Sequence, residues 1–146
     1  MNVRMTTAAP AVSTSADTIL RGLGAALVIG VAQIHFLDVF DKFEENTIQA
    51  WMFVSLIVGC LVSAIALVRW SGVLVWALAG VCGLAPLAMY VISRSVGLAG
   101  AADDIGNWAE PLGLASISME ASLVLVSAYA LSLRYGNATK GQQQES

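Results

Sequence analysis

Two stretches, Ile48–Val68 and Val73–Ser93, each run for about 20 residues without a charged side chain. A surface helix of a soluble protein keeps one polar face toward water, and neither stretch has one. Neither alternates in the manner of a barrel strand. Length and composition instead match the hydrocarbon core of a bilayer. Two further spans flank them. Ile19–Phe40 carries Arg21 near its start and Gln33, His35 and Asp38 near its end, and Leu112–Leu133 carries Glu120 as its only charge. Lipid offers the backbone no hydrogen-bond partners, so each span must be a helix that satisfies itself.

The expected fold class is therefore all-α. The chain is read as a polytopic integral membrane protein with four transmembrane helices in an antiparallel bundle. The expected domain covers residues 18–135, with spans at about 19–40, 48–68, 73–93 and 112–133. Residues 1–17 and 136–146 are polar and small and are read as disordered cytoplasmic tails. A signal peptide is the competing reading of the first span. That span exceeds the 7–15 residues of an h-region and ends without a small-x-small cleavage site.

Composition narrows the function classes. Of 146 residues, 58% are hydrophobic and 12% charged, against about 25% charged in soluble domains. The net charge of −3 excludes nucleic acid as a partner, since that needs a basic face. His35 is the only histidine, so one chain supplies neither a bis-histidine haem nor a three-histidine metal centre; no haem or nucleotide cofactor is expected. Cys60 and Cys82 form no CxxC and no zinc spacing. They fall at similar depth near the bilayer centre, where thiols are usually inert apolar residues and a redox pair is the alternative.

Arg4, Arg21, Arg69, Arg134 and Lys140 fall in the tails, the second connector and the span ends beside them, whereas Lys42 and Arg94 fall in the other two loops. The positive-inside rule then puts both termini in the cytoplasm of an inner (plasma) membrane protein. Trp51 and Trp108 are expected at the outer interface, Trp70 and Trp76 at the inner one. Small residues recur at four-residue spacing: Gly22, Ala26 and Gly30; Ser55, Gly59 and Ser63; Ala79 and Gly83. Such stripes allow close helix approach, within the bundle or between copies. The bilayer, a homo-oligomer and other membrane subunits are the expected partners.

The polar residues gather toward the outer side. Glu120 lies eight residues into the fourth span, roughly 12 Å deep at 1.5 Å per residue. An acid there faces the bundle interior and has a partner or a role. His35, Asp38, Asp41, Lys42 and Glu45 share one helical face, either a solvated collar or a cation grip. Asp103, Asp104 and Glu110 occupy the Gly-rich loop that begins at Arg94. Asn107 and Glu110 have the spacing of a capping box before Pro111; an ion pair from Arg94 to an aspartate is the modest reading of the remainder. Expected ligand-binding residues are His35, Asp38, Arg94, Asp103, Asp104 and Glu120. Expected metal ligands, if a metal ion is the cofactor, are His35, Asp38 and Glu120. Met52, Met89 and Met119 lie in the same layer as a copper(I) alternative, or as ordinary flexible filler.

Residues 93–116, SRSVGLAGAADDIGNWAEPLGLAS, resemble a segment of small uncharacterised actinobacterial four-helix membrane proteins that share a DDIGNWxEPLGLAS-like run. The resemblance covers about a sixth of the chain plus the four-span layout, and it implies a fold without an activity. The leading functional expectation is a small membrane binding or accessory protein whose outer site engages a cation, a proton or a small polar ligand. A metal-dependent membrane oxidoreductase and a transporter or channel subunit built on Glu120 are the alternatives.

Overall fold

The computed structural model describes residues 14–98 and 102–144, except for the side chains of Asp103 and of residues 137–144. It is all-helical. Helices α1 (Thr14–Glu45), α2 (Thr47–Arg69), α3 (Val73–Ser95) and α4 (Pro111–Gln144) are joined by short connectors and by one loop that holds a 3₁₀ turn, Ala102–Asp104. All four are long and apolar enough to cross a membrane.

The helix ends follow local chemistry. Asn46 caps α2, its side-chain oxygen accepting from the Ile48 and Gln49 amides at 3.1 and 3.3 Å, as short amide side chains do at helix starts. Helix α1 outruns the expected 19–40 at both ends. Its first turn carries Asp17, which accepts from Arg134 at 2.6 Å, and its last turn is braced by Lys42–Glu45 at 2.5 Å. The polar tail expected from residue 136 is instead helical backbone as far as Gln144. No proline stops it, and Lys and Gln propagate a helix well enough to carry the chain past Gly136. The expected N-terminal tail lies outside the described residues up to residue 13. Pro86 stands inside α3, and the helix continues through it.

The interior combines an apolar core, Trp76, Leu67 and Leu123 among its largest members, with an unusual number of buried polar side chains. Buried residues include Ala25, Val28, Ala64, Ala79 and Ala130, and with them His35, Gln49, Ser63, Ser93, Arg94, Ser116, Glu120 and Ser127. Large apolar side chains point outward, Leu74 at 83% exposure and Ile19 at 71% among them. Polar groups inside and apolar groups outside is the arrangement that lipid solvation selects.

Side chains link the helices at both ends. Near the Arg134 end, a Cβ on Gly24 of α1 would meet the Trp76 ring of α3 at 2.9 Å, so these two pack without a gap. Trp76 is fully buried, a core residue and not the interfacial one expected; Trp51, Trp70 and Trp108 are exposed. At mid-height a Cβ on Gly83 would lie 2.9 Å from the Glu120 carbonyl oxygen. Only glycine lets α4 sit so close to α3 there. The expected Gly22–Ala26 stripe faces outward, and α1 packs through Gly24, Ala25, Val28, Val31, Ala32 and His35.

Candidate functional site

Gly83 seats the α4 backbone at Glu120 against α3, and the Glu120 side chain then turns inward, only 1% of the residue remaining exposed. One turn earlier, Ser116 shares its face by i,i+4 spacing and donates its hydroxyl to Glu120 Oε1 at 2.5 Å. Glu120 Oε2 has no hydrogen-bond partner among the described residues. A buried carboxylate oxygen left this way is costly, and each such case asks for an explanation.

His35 faces Glu120 from α1. Its Nδ1 is 2.9 Å from the Val31 carbonyl oxygen. A carbonyl only accepts, so Nδ1 carries the proton, and the neutral ring presents Nε2 as an acceptor. Nε2 lies 3.8 Å from Glu120 Oε1, beyond hydrogen-bond reach. The Phe53 ring packs edge-on against the imidazole, centroids 4.7 Å apart, and holds its orientation. With the ring neutral and Glu120 ionised, two acceptors stand side by side without a donor between them.

Both line a cavity of about 190 Å³ that all four helices and the α3–α4 loop enclose. Asp38 and Lys42 of α1, Met52 of α2, Met89, Tyr90 and Arg94 of α3, and Asp104 and Glu110 of the loop also reach its wall. Arg94 braces the loop above it. Its Nη1 lies 2.5 Å from Asp104 Oδ1 and its Nη2 pairs with Glu110, while its guanidinium lies over the Tyr90 ring at 4.9 Å. The Gly106 amide bonds the Arg94 carbonyl at 2.9 Å, at a φ of +82° that glycine adopts without strain. Arg94 Nε has no partner among the described residues.

Of the expected ligand residues, His35, Asp38, Arg94, Asp104 and Glu120 reach this one cavity. The Asp103 side chain lies outside the described residues. No three of the His, Cys, Asp and Glu side chains described converge on a metal position, so the His35–Asp38–Glu120 metal set is not assembled. Asp38 is three residues further along α1 than His35, which carries it roughly 4.5 Å along the helix axis. Of the copper set, Met52 and Met89 reach the cavity and Met119 packs at Gly30.

The capping box is also replaced. Helix α4 starts at Pro111, and the Leu114 amide bonds the Glu110 carbonyl at 2.9 Å, so Glu110 itself holds the cap position and its carboxylate turns to Arg94. Ser116, Tyr90 and Gln49 are wall residues that sequence reasoning did not select. Ser116 had a signal, its i,i+4 spacing to Glu120; Tyr90 and Gln49 had none beyond their polarity in apolar spans. Cys60 and Cys82 are buried free thiols on α2 and α3, on the Arg134 side of the cavity. Comparison with protein-family models, with curated proteins and with solved structures finds no match.

Proposed function

We propose that the chain is a small multi-pass binding protein of the plasma (inner) membrane. It is read as an antiparallel transmembrane bundle with both termini cytoplasmic, whose outer cavity holds a small cationic ligand. One observation carries this reading: Glu120, buried to 1% exposure and with no hydrogen-bond partner for Oε2 among the described residues, stands with His35 on the wall of one cavity. Such a pair calls for a group that donates several hydrogen bonds.

The charges around it favour a cation. Arg94 is engaged by Asp104 and Glu110, and Lys42 by Glu45. Asp38 shares Lys42 with Glu45, and Glu120 is the wall acid with no lysine or arginine partner among these pairs. An ammonium group supplies three donors and the missing positive charge. The space suits a small organic head, since a liquid water takes about 30 Å³.

Short cations test the site. In detergent, methylammonium is expected to raise the melting temperature of the wild-type protein. Glu120→Gln is expected to keep the Ser116 bond and to melt close to wild type. Its response to methylammonium should weaken by more than about tenfold, as when one member of a buried charge pair is removed. An equal response in both proteins, or none in either, overturns the reading. Reporter fusions test the orientation: those at Arg69 and after Arg134 should report cytoplasm, and one within Asp38–Asn46 should report the outside.

A further inference from the structure

Polar side chains on the outward faces of the helices need partners as much as buried ones do. Ser55, Ser118 and Ser122 are exposed, and each hydroxyl donates to a carbonyl one turn back on its own helix, those of Trp51, Leu114 and Ser118, at 2.8, 2.8 and 2.7 Å. A serine tolerates lipid in this way because its own helix satisfies it. Gln33 of α1 is exposed too, and it makes no hydrogen bond among the described residues. It stands seven residues before Phe40, roughly 10 Å along the helix axis at 1.5 Å per residue. Lipid offers a carboxamide at that depth neither donor nor acceptor.

The face around Gln33 is built for a close neighbour. Gly22, Ala26, Ile29, Gln33, Phe36 and Phe40 are all exposed and follow one another at alternating steps of four and three, the spacing of a seam between two helices. Any outward helix face has that spacing, so the contents of this one set it apart. A Cβ on Gly22 would meet nothing within 4 Å, and with Ala26 it offers small side chains over the N-terminal half, where another backbone can come near. Phe36 and Phe40 pack edge-on at the other end, centroids 5.5 Å apart. Gln33 is the one polar member between them.

We infer that this face of α1 is the interface of a homodimer, in which the Gln33 amides of the two copies hydrogen-bond to each other. This rests on α1 crossing the bilayer, and not on what the cavity holds. The occupant follows from the amide. A carboxamide carries two donors and an acceptor, so two of them related by a two-fold axis satisfy each other. A second copy in the same orientation brings that group to the same depth, because the same patch meets itself across the axis. A polar residue at one seam position is also what fixes the register of paired helices.

The test uses the full chain in lipid vesicles, fused at its C-terminus to donor or acceptor fluorescent proteins. Energy transfer above that of random mixing is expected, and it should fall as unlabelled wild type is added. Gln33→Leu removes the amide from an exposed position, so it should melt in detergent as wild type does while needing about tenfold more protein per lipid to associate. Gln33→Asn keeps an amide and should associate more tightly than Gln33→Leu. Oxidative cross-linking reads the face. Phe40→Cys should give a disulfide-linked dimer, whereas wild type, whose Cys60 and Cys82 are buried, and Leu114→Cys, exposed on α4, should give none. Transfer no greater than random mixing in the wild type overturns the inference, and any polar partner of Gln33 is then a different protein. Equal association of Gln33→Leu and wild type, no gain from Gln33→Asn over Gln33→Leu, or cross-linking through Leu114→Cys in place of Phe40→Cys overturns it as well.

Discussion

At the Arg134 end, two arginines tie the helices together; at the Arg94 end, one arginine braces a loop over a cavity. Arg134 donates to the Ser71 carbonyl at 2.7 Å, the Ala130 carbonyl at 2.9 Å and Asp17 at 2.6 Å, and lies over the Trp76 ring. Arg21 donates to the Leu67 carbonyl at 2.6 Å and to that of Val68. These are carbonyls of the last turn of α2, which have no partner within their own helix, and a cation there also suits the helix dipole. Arg94 spends two nitrogens on the loop, keeps Nε unpartnered, and stands over a cavity with an unpartnered carboxylate oxygen. One end closes the bundle and the other keeps room open inside it. Trp76 Nε1, Ser63 Oγ and Ser127 Oγ also have no hydrogen-bond partner among the described residues, so the open end is set apart by its cavity and its buried carboxylate, the costlier group to leave unmet.

The seat between the two ends gives the largest expected effect. Gly83→Leu would push a side chain into the Glu120 carbonyl, Val124 and Leu123, which lie 2.9, 3.1 and 3.3 Å from a Cβ at that position. Backbone cannot yield as a flexible side chain can. A loss of about 3 kcal/mol or more is expected, at the upper end for overpacking, and methylammonium binding should go with it because Glu120 is displaced. Thermal unfolding in detergent reads the first effect and the ligand response the second. A variant that melts as wild type would show that α3 and α4 do not meet at this glycine.

Arg134→Ala separates the ends. It removes three hydrogen bonds, one of them the ion pair with Asp17, with an expected cost of about 2–3 kcal/mol. The cavity lies at the opposite end, so the folded fraction should respond to methylammonium as wild type does. Lost binding with retained stability would reverse the assignment of the two ends.

This contrast was only half legible in the sequence. The four helices were, because runs such as Ile48–Val68 admit no other solution in lipid. So was the gathering of His35, Asp38, Arg94, Asp104 and Glu120 on one side, since counting 1.5 Å per residue from the span ends puts all five at or within about 12 Å of the same face. Depth does not give rotation about the helix axis, however. Met119 shares the layer yet packs at Gly30, and Trp76 sits at the right height for an interface yet is buried against Gly24. Nor was the Arg134 clasp visible, because Asp17 and Ser71 join it only when α1 and α4 bring distant segments together.

The smallest expected effect is at the rim of the open end. Lys42 Nζ lies 2.5 Å from Glu45 Oε2, and the Glu45 side chain is 60% exposed. An exposed i,i+3 pair contributes about 0–1 kcal/mol and weakens with salt. Glu45→Gln should therefore shift melting little, and less still in high salt. Its value lies in the ligand response. Lys42 and Asp38 reach the cavity wall together, so a lysine released from Glu45 is free to turn toward Asp38 and reduce the negative charge a cation would meet. A small weakening of methylammonium binding with unchanged stability is expected. A tighter response would mean that Lys42 guards the cavity only while Glu45 holds it. The same melts and titrations at low and high salt decide between these outcomes, since only an electrostatic change at the rim would fade as salt is added.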